Sequence, residues 1–217
     1  MPYKINVPYT EKDAAKTIGA FWDVNLRTWY IPDHKNPNDF MQWIDIKNIS
    51  LILKAPYYLG VNYRDCWKCN QETTAISLYS DNFYQYNDED DTDPAVFERV
   101  DSKSFIYHVD FIEPDIATFI QKKFSFYKVG YSRMTDSEYW ANHCEHCGVI
   151  QGDFHLHEEP DGAFCPIDEE GCKALTLIKM PFTYDLGLSG GFSYSSNEDE
   201  VFELAAKVKW EDFKGAD

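Results

Sequence analysis

The chain has 217 residues, of which 17% are aromatic and 26% are charged, and this aromatic content excludes a disordered acidic polypeptide because such rings require a packed core. Its 37 acidic and 20 basic side chains give a net charge of −17, which disfavours a polyanionic partner such as nucleic acid. Residues 1–45 hold 5 basic and 6 acidic side chains, a balance of −1, so that −16 falls on the remainder.

The apolar residues are not distributed as in a membrane or secreted protein. The apolar region 48–63 is interrupted by Lys54 and Pro56, whereas a membrane-spanning helix needs about 18 uninterrupted apolar residues. Residues 1–10 contain no basic segment followed by an apolar one, so no secretory signal is predicted. We therefore expect a cytoplasmic protein.

Residues 1–45 predict a small α/β module. A strand is predicted over residues 3–7, where apolar Tyr3, Ile5 and Val7 alternate with polar residues, and another over residues 28–31. Between them, Thr10 begins a predicted helix whose apolar face consists of Ala14, Ile18 and Phe21. Asn38 caps a second short helix, and its predicted inward face consists of Phe40, Trp43 and Ile44.

Residues 7–32, VPYTEKDAAKTIGAFWDVNLRTWYIP, carry a specific motif. They resemble a small bacterial domain of unknown function that is found, for example, as an appendage of conjugative-plasmid primases. The matching residues are Glu11, Lys12, Asp13, Lys16, Gly19, Ala20, Trp22, Asp23, Trp29 and Tyr30, whereas Phe21 stands where that family usually has Arg. The rest of the chain resembles the continuation of this module in stand-alone bacterial proteins, for which no reaction is assigned.

Residues 46–217 predict a mixed α+β domain, so the fold class expected for the whole chain is α+β. The predicted strands are residues 75–79, 105–111, 149–157 and 175–180, and residues 190–191 are predicted as a Gly-Gly turn. Pro114 begins a helix whose apolar face consists of Ile116, Phe119, Ile120 and Phe124. Asn197 caps the last helix, with an apolar face of Val201, Leu204, Ala205 and Val208 and with Lys207 and Lys209 at its C-terminal end.

The acidic run within residues 87–94 is predicted to be a solvated loop. Self-repulsion of its carboxylates favours an exposed excursion, and the fixed Gly and distal Glu of an EF-hand calcium loop are missing.

Four of the six cysteines form two Cys-x-x-Cys knuckles, Cys66 with Cys69 and Cys144 with Cys147. A two-residue gap lets both sulfurs of a knuckle bind one ion at about 2.3 Å, and two knuckles complete a closed tetrahedral thiolate shell. We therefore predict a structural Zn²⁺ site with these four ligands, and Gly148 permits the tight turn behind the second knuckle. The alternatives are a redox dithiol, structural disulfides or an iron–sulfur cluster.

The remaining histidines and cysteines leave further alternatives open. His143 and His146 flank the second knuckle and either replace a cysteine ligand or lie beside the centre. His155 and His157 point to one face if they lie on a strand. One alternative is that they form a second metal site with Cys165 and Cys172, and the other is that these two cysteines are buried free thiols.

A closed thiolate shell has no open position to activate water, and the sequence contains no nucleophile elbow, phosphate loop or HExxH motif, so we expect no enzyme. The charge of −16 on residues 46–217 suits a protein that binds and neutralises a basic protein toxin, which makes an immunity protein (antitoxin) of a bacterium the predicted function. The alternative is a nucleic-acid-associated accessory protein of replication or transfer systems. In that case Trp22, Trp29 and Tyr30 stack on bases, and a local basic patch consists of Lys12, Lys16 and Arg27.

Overall fold

A computed structural model describes residues 2–88, 95–193 and 198–215 of the chain. Its strands are β1 (Tyr3–Ile5), β2 (Phe21–Asp23), β3 (Thr28–Ile31), β4 (Leu51–Leu53), β5 (Tyr58–Asp65), β6 (Glu72–Ser80), β7 (Phe83–Asn87), β8 (Val96–Val100), β9 (Ser104–Ile112), β10 (Tyr127–Ser132), β11 (Ser137–Asn142), β12 (Thr176–Lys179), β13 (Leu186–Phe192) and β14 (Ala206–Lys209). Its helices are α1 (Lys12–Thr17), α2 (Pro114–Gln121), α3 (Asp153–His157), α4 (Glu169–Ala174) and α5 (Glu198–Leu204), with 3₁₀ helices at Tyr9–Glu11 and Pro37–Trp43. The fold is mixed α+β and mostly sheet, as predicted.

Strands β1, β3 and β2 form a three-stranded antiparallel sheet at the N-terminus. The strands predicted at residues 3–7 and 28–31 are confirmed, although the first ends at Ile5. The second short helix is confirmed with a 3₁₀ geometry, and the three residues of its predicted inward face are all buried: Phe40, Trp43 and Ile44.

The predicted cap and face of the first helix were wrong. A 3₁₀ turn at Tyr9–Glu11 occupies the predicted helix start, so that α1 begins at Lys12 and buries Ala15. Phe21 lies in β2, where it is 41% exposed and stacks on Tyr30 across the strand pair. The pairing of β2 with β3 fixes the position of Phe21, and the helical spacing of apolar residues in the sequence does not reveal this pairing.

Asn38 has a different role from the predicted cap. The side chain of Asn36 caps this 3₁₀ helix by accepting from the Asn38 N–H at 3.0 Å. The Asn38 side chain instead accepts from the Phe97 N–H at 2.6 Å and donates to the Phe97 carbonyl at 3.0 Å. It therefore joins the N-terminal residues to strand β8.

The larger sheet runs in the order β14-β12-β5-β6-β9-β13-β4-β7-β8, and β11 with β10 branches from β9. Neighbouring residues on its strands point to opposite faces, and both faces are buried. Helix α2 packs on the face that carries Ile76 and Ile106, whereas the opposite face, with Ala75 and Phe105, packs on residues from α3, α4 and α5. The predicted strands at 75–79, 105–111 and 175–180 and the helix from Pro114 are confirmed.

Three predictions for the C-terminal half were wrong: the strand at residues 149–157, the turn at residues 190–191 and the extent of the last helix. The strand predicted at residues 149–157 is absent, and Ile150 makes an isolated bridge to His143. Residues 153–157 form helix α3, whose first residue, Asp153, is buried and accepts a hydrogen bond from the His108 N–H. Gly190 and Gly191 lie at an irregularity inside β13, where the Tyr107 ring leaves no room for a side chain on Gly191.

The last helix ends at Leu204, because the following residues pair with β12 in parallel. Val208, Lys207 and Lys209 therefore lie on strand β14. The predicted cap Asn197 and most of the acidic loop 87–94 lie outside the described residues.

The N-terminal residues pack directly on the larger sheet. One apolar cluster contains Tyr3, Trp29 and Phe40 together with Ile52 and Phe97 of the larger sheet. A continuous core of this kind makes independent motion of the two parts unfavourable. The predicted division at residue 45 remains a prediction.

Polar contacts reinforce this junction. The ammonium group of Lys54 lies 2.7 Å from Asp33 and 2.6 Å from Asp185, whose side chain is 2% exposed and also accepts from the Ala55 N–H at 2.9 Å. The Asp185 N–H donates to the Pro2 carbonyl at 3.0 Å. Among the described residues, no helix is long and apolar enough to cross a membrane.

We predict that Asp185→Ala lowers the free energy of unfolding by about 1–3 kcal/mol, because Lys54 then loses its buried partner and the Ala55 N–H its acceptor. Urea denaturation followed by circular dichroism measures this change. The matched control is Asp101→Ala, which removes an exposed ion pair with Arg99 and should change the value by less than about 0.5 kcal/mol. Equal effects of the two substitutions would contradict a structural role for the buried pair.

Candidate metal centre

The first knuckle forms the connection between β5 and β6. The Cys66 N–H donates to the Gln71 carbonyl, and the Asn70 N–H donates back to the Cys66 carbonyl, both at 2.9 Å. Asn70 has φ = 55°, in the left-handed region that Asn tolerates better than most residues. The turn brings the sulfur of Cys69 back beside that of Cys66.

The second knuckle follows β11 and repeats this geometry. The Cys144 N–H donates to the Val149 carbonyl at 2.8 Å, and the Gly148 N–H donates to the Cys144 carbonyl at 2.9 Å. Gly148 has φ = 71° and occupies the position that Asn70 has in the first knuckle. The left-handed turn predicted at Gly148 is therefore present, and the equivalent turn at Asn70 was missed.

The fold brings the four predicted ligands to one point. One ligand atom from each of the four cysteines lies within 4.8 Å of the others. The Cys66 and Cys147 sulfurs are 3.7 Å apart, as are those of Cys69 and Cys144. A tetrahedral ion with metal–sulfur bonds of about 2.3 Å places its ligands about 3.8 Å apart, so these sulfurs fit around a single metal ion.

None of the described cysteines forms a disulfide. A disulfide needs an S–S distance of about 2.05 Å, well below the 3.7 Å separations of the sulfur pairs. The distance argues against the disulfide alternative.

The electrostatics of the four sulfurs favour a bound cation. Burial opposes ionisation of Cys66, but the N–H groups of Cys69 and Lys68, with the adjacent thiols, lower its pKa to about 6. For Cys69, the Gln71 N–H favours the thiolate, but burial and the neighbouring sulfurs outweigh it and raise the pKa to about 12. Four adjacent thiolates repel one another, and a divalent metal ion removes that repulsion.

Three N–H groups orient the sulfurs. The backbone N–H of Lys68 and the side-chain amide of Gln151 each donate to the Cys66 sulfur at 3.4 Å, and the His146 N–H donates to the Cys144 sulfur at 3.4 Å. Gln151 is buried and was missed, because its distance from Cys66 in the sequence gives no sign of this contact. Such contacts are typical of structural thiolate centres.

Asn142 locks the second knuckle to the sheet. Its side chain, 1% exposed, accepts from the Ile76 N–H at 2.8 Å and donates to the Ile76 carbonyl at 2.9 Å, as a neighbouring strand would. Glu145 adds a second tie by accepting from the Thr74 N–H at 2.9 Å. The knuckles are thus held in register by strand β6 as well as by their sulfurs.

The two histidines beside the second knuckle lie near the centre without entering the ligand group. His146 Nε2 donates to the Glu72 carbonyl at 2.8 Å. His143 is buried, and its Nδ1 lies 3.1 Å from the Phe126 carbonyl oxygen and 3.0 Å from that of Ala141. The alternative in which either histidine replaces a cysteine is not supported.

The possible second metal site is not assembled. His155 is on the surface of α3 and pairs with Glu159 at 2.9 Å, whereas His157 is 5% exposed and packs against Phe164. Within the described ranges, the two knuckles supply the only group of three or more metal-binding side chains close enough to share an ion. Cys172 is buried, in agreement with the thiol alternative, and Cys165 is half-buried.

The comparisons with known proteins concern the N-terminal residues. Residues 3–45 match a family described as a domain of unknown function (DUF5710), which confirms the resemblance seen in the sequence. A 39-residue segment, 18% of the chain, is 49% identical to a DNA primase TraC of Escherichia coli and 46% identical to a second protein of that name. It covers only 3% and 4% of these two proteins. No solved structure matches the chain.

We predict that Cys144→Ser abolishes metal binding and lowers the free energy of unfolding by more than about 3 kcal/mol, because metal binding is coupled to folding. Elemental analysis and urea denaturation measure the two effects. Cys165→Ser is the control, since this half-buried cysteine lies outside the ligand group and its substitution should leave the metal content unchanged. A Cys144→Ser protein with full metal content and unaltered stability would refute the assignment.

Proposed function

We propose that the chain is an acidic binding protein, stabilised by one Zn²⁺, that neutralises a protein partner, and that this partner is a basic antibacterial toxin. Zinc is the proposed ion because four thiolates with tetrahedral spacing suit it, and a single ion accounts for sulfurs only 3.7 Å apart. An iron–sulfur cluster places several iron atoms between its cysteines and needs a wider cage. Elemental analysis of the wild-type protein should find one zinc per chain.

The observation that carries the proposed partner is an acidic surface between α3 and α4. Residues 158–170 contain no Lys or Arg and six exposed carboxylates, which are Glu158, Glu159, Asp161, Asp168, Glu169 and Glu170. Ile167 lies among them and is 59% exposed. An exposed apolar side chain in an acidic segment is suited to a basic protein surface, which the charges attract and the apolar contact holds.

The scaffold beneath this surface suits a blocking protein. Helices α3 and α4 and the segment between them pack on the larger sheet through buried Leu156, Cys172 and Phe164, and Gln151, just before α3, donates to the Cys66 sulfur. A rigid surface loses little conformational entropy on binding, which favours tight inhibition. Neutralisation then follows from covering the basic site with which the toxin binds its own substrate.

The test uses the protein encoded directly beside this chain as the candidate toxin. Co-expression of the wild-type chain should restore growth, and the two purified proteins should associate with a rate constant that falls as salt is added. The double variant Glu158→Lys with Glu170→Lys should slow association at least about tenfold at low salt. Its control, Glu98→Lys with Glu138→Lys, makes the same change in net charge on exposed strand residues elsewhere.

Two outcomes would contradict this function. The first is that the neighbouring protein neither inhibits growth nor binds the chain. The second is that both double variants slow association equally. The second result would show that net charge acts without a defined surface.

A second candidate function is favoured by a groove of about 420 Å³ in the N-terminal part, lined by Val7, Tyr9, Lys12, Lys16, Trp22 and Trp29. Tyr9 is 80% exposed with the Lys12 ammonium 3.8 Å from its ring centre, and Trp22 is 44% exposed. Of the rings expected to stack on bases, Trp29 and Tyr30 are instead buried, and Tyr9 was missed. We propose that this groove binds single-stranded nucleic acid, in line with the similarity to segments of DNA primases.

Fluorescence anisotropy with a labelled single-stranded oligonucleotide tests this candidate. Tyr9→Ala should weaken binding at low salt by about tenfold, because each base–ring stack contributes about 1–3 kcal/mol. Phe21→Ala is the control, since Phe21 is 41% exposed in β2 and does not line the groove. Absence of wild-type binding at low salt would exclude the candidate, and equal weakening in both variants would exclude the groove.

A further inference from the structure

A cleft of about 1050 Å³ opens beside the metal centre, between the two knuckles, the β10–β11 hairpin and α3. Three of its lining rings are strongly exposed, namely Trp67 at 64%, Tyr131 at 52% and Phe154 at 52%. A concave site with several exposed rings and a few polar groups is typical of a ligand pocket. The proposed functions assign no role to it.

The metal centre positions two walls of this cleft. Trp67 lies within the first knuckle, between Cys66 and Cys69. Its indole N–H donates at 2.8 Å to the carbonyl of Ile150, which closely follows the second knuckle. The ion that joins the knuckles therefore fixes the separation between the Trp67 ring and the opposite wall.

A buried carboxyl group lies at the base of the cleft. Asp153 is 7% exposed, and its side chain accepts from the His108 N–H at 2.6 Å. His108 has φ = 50°, a strained backbone conformation for this residue type, and its ring stacks on Tyr139 at 4.4 Å between ring centres. Strain of this kind persists where the surrounding structure holds a functional group in place.

His143 offers a second acceptor. Its Nδ1 lies near two carbonyl oxygens, which only accept, so Nδ1 carries the proton and Nε2 is left as the acceptor. A side chain at Gly130 would meet Nε2 at 2.7 Å and Ile150 at 2.8 Å. Glycine at this position therefore lets the His143 ring and Ile150 pack closely against the backbone of β10.

The charges that line the cleft argue against an anionic ligand. The lining residues include Arg133 and two carboxylic acids, Glu158 and the buried Asp153, and the whole chain carries −17. A phosphate group would find no cluster of cations among these lining residues and would be repelled by the protein as a whole. The polar groups described above accept hydrogen bonds, so the matching ligand donates them.

We propose that this cleft binds an uncharged planar heteroaromatic compound with N–H donors, the chemistry of a free nucleobase or nucleoside. The ring stacks on the exposed aromatic side chains at the rim. Its N–H groups donate to His143 Nε2 and to the Asp153 carboxyl group. The same ring chemistry occurs in the indole of a tryptophan side chain, which the experiment must separate from a nucleoside.

Isothermal titration of the metal-loaded full chain with adenosine and with guanosine tests the proposal. At least one nucleoside should bind saturably, and Phe154→Ala and Trp67→Ala should each weaken binding by about tenfold, as expected for loss of a stacking ring. Asp153→Asn keeps an acceptor for the His108 N–H and should weaken binding less than either ring deletion. Metal content and melting temperature are measured for every variant.

Phe21→Ala is the matched control, because it removes a ring that is 41% exposed and lines neither the cleft nor the N-terminal groove. It should leave nucleoside binding unchanged. The proposal is overturned if neither nucleoside binds, if Trp22→Ala abolishes binding while Phe154→Ala does not, or if N-acetyltryptophanamide binds more tightly than both nucleosides. The toxin experiment bears on none of these outcomes, and loss of binding in Trp22→Ala would assign the nucleoside to the N-terminal groove.

Discussion

The convergence of four cysteine sulfurs from two distant chain segments is the constraint on which the local architecture depends. One knuckle connects β5 to β6 and the other follows β11, so a metal ion shared by the four cysteines would tie two separate parts of the sheet together. Each knuckle alone presents two thiols, and only their combination forms a closed shell. The left-handed turns at Asn70 and Gly148 allow both knuckles to face the same point.

Hydrogen bonds attach the cysteine centre firmly to the larger sheet. Asn142 pairs with Ile76 through its side chain, and the amide of Gln151 reaches the Cys66 sulfur. These buried polar groups are satisfied only when both segments are in place, so folding of the sheet and closure of the metal site favour one another. The surfaces next to the cysteine centre, which are the acidic residues 158–170 and the aromatic cleft, are therefore held in a fixed conformation as well.

The protein presents three surfaces of different chemistry. The N-terminal part has aromatic rings with lysines, α3 and α4 present carboxylates, and the cleft beside the knuckles combines rings with hydrogen-bond acceptors. A single apolar cluster from Tyr3 to Phe97 fixes the first surface relative to the larger sheet. The long-range repulsion from a net charge of −17 acts on all three, so short-range contacts must decide which ligand each surface accepts.

The sequence by itself determined the candidate metal-binding residues, the mixed α+β class and five of the fourteen described strands, because Cys-x-x-Cys spacing and apolar alternation are local properties. Prediction from the sequence was wrong where contacts between distant residues override the local pattern of apolar and polar residues. Phe21 joined a strand, residues 153–157 became helical around a buried Asp153, and Gly190 and Gly191 stayed within β13. The tertiary structure alone decided that Trp67 and Phe154 share a cleft, and that Trp29 is buried while Tyr9 is exposed. The physical reason is that burial and pairing depend on residues far apart in the chain, whose proximity no local spacing encodes.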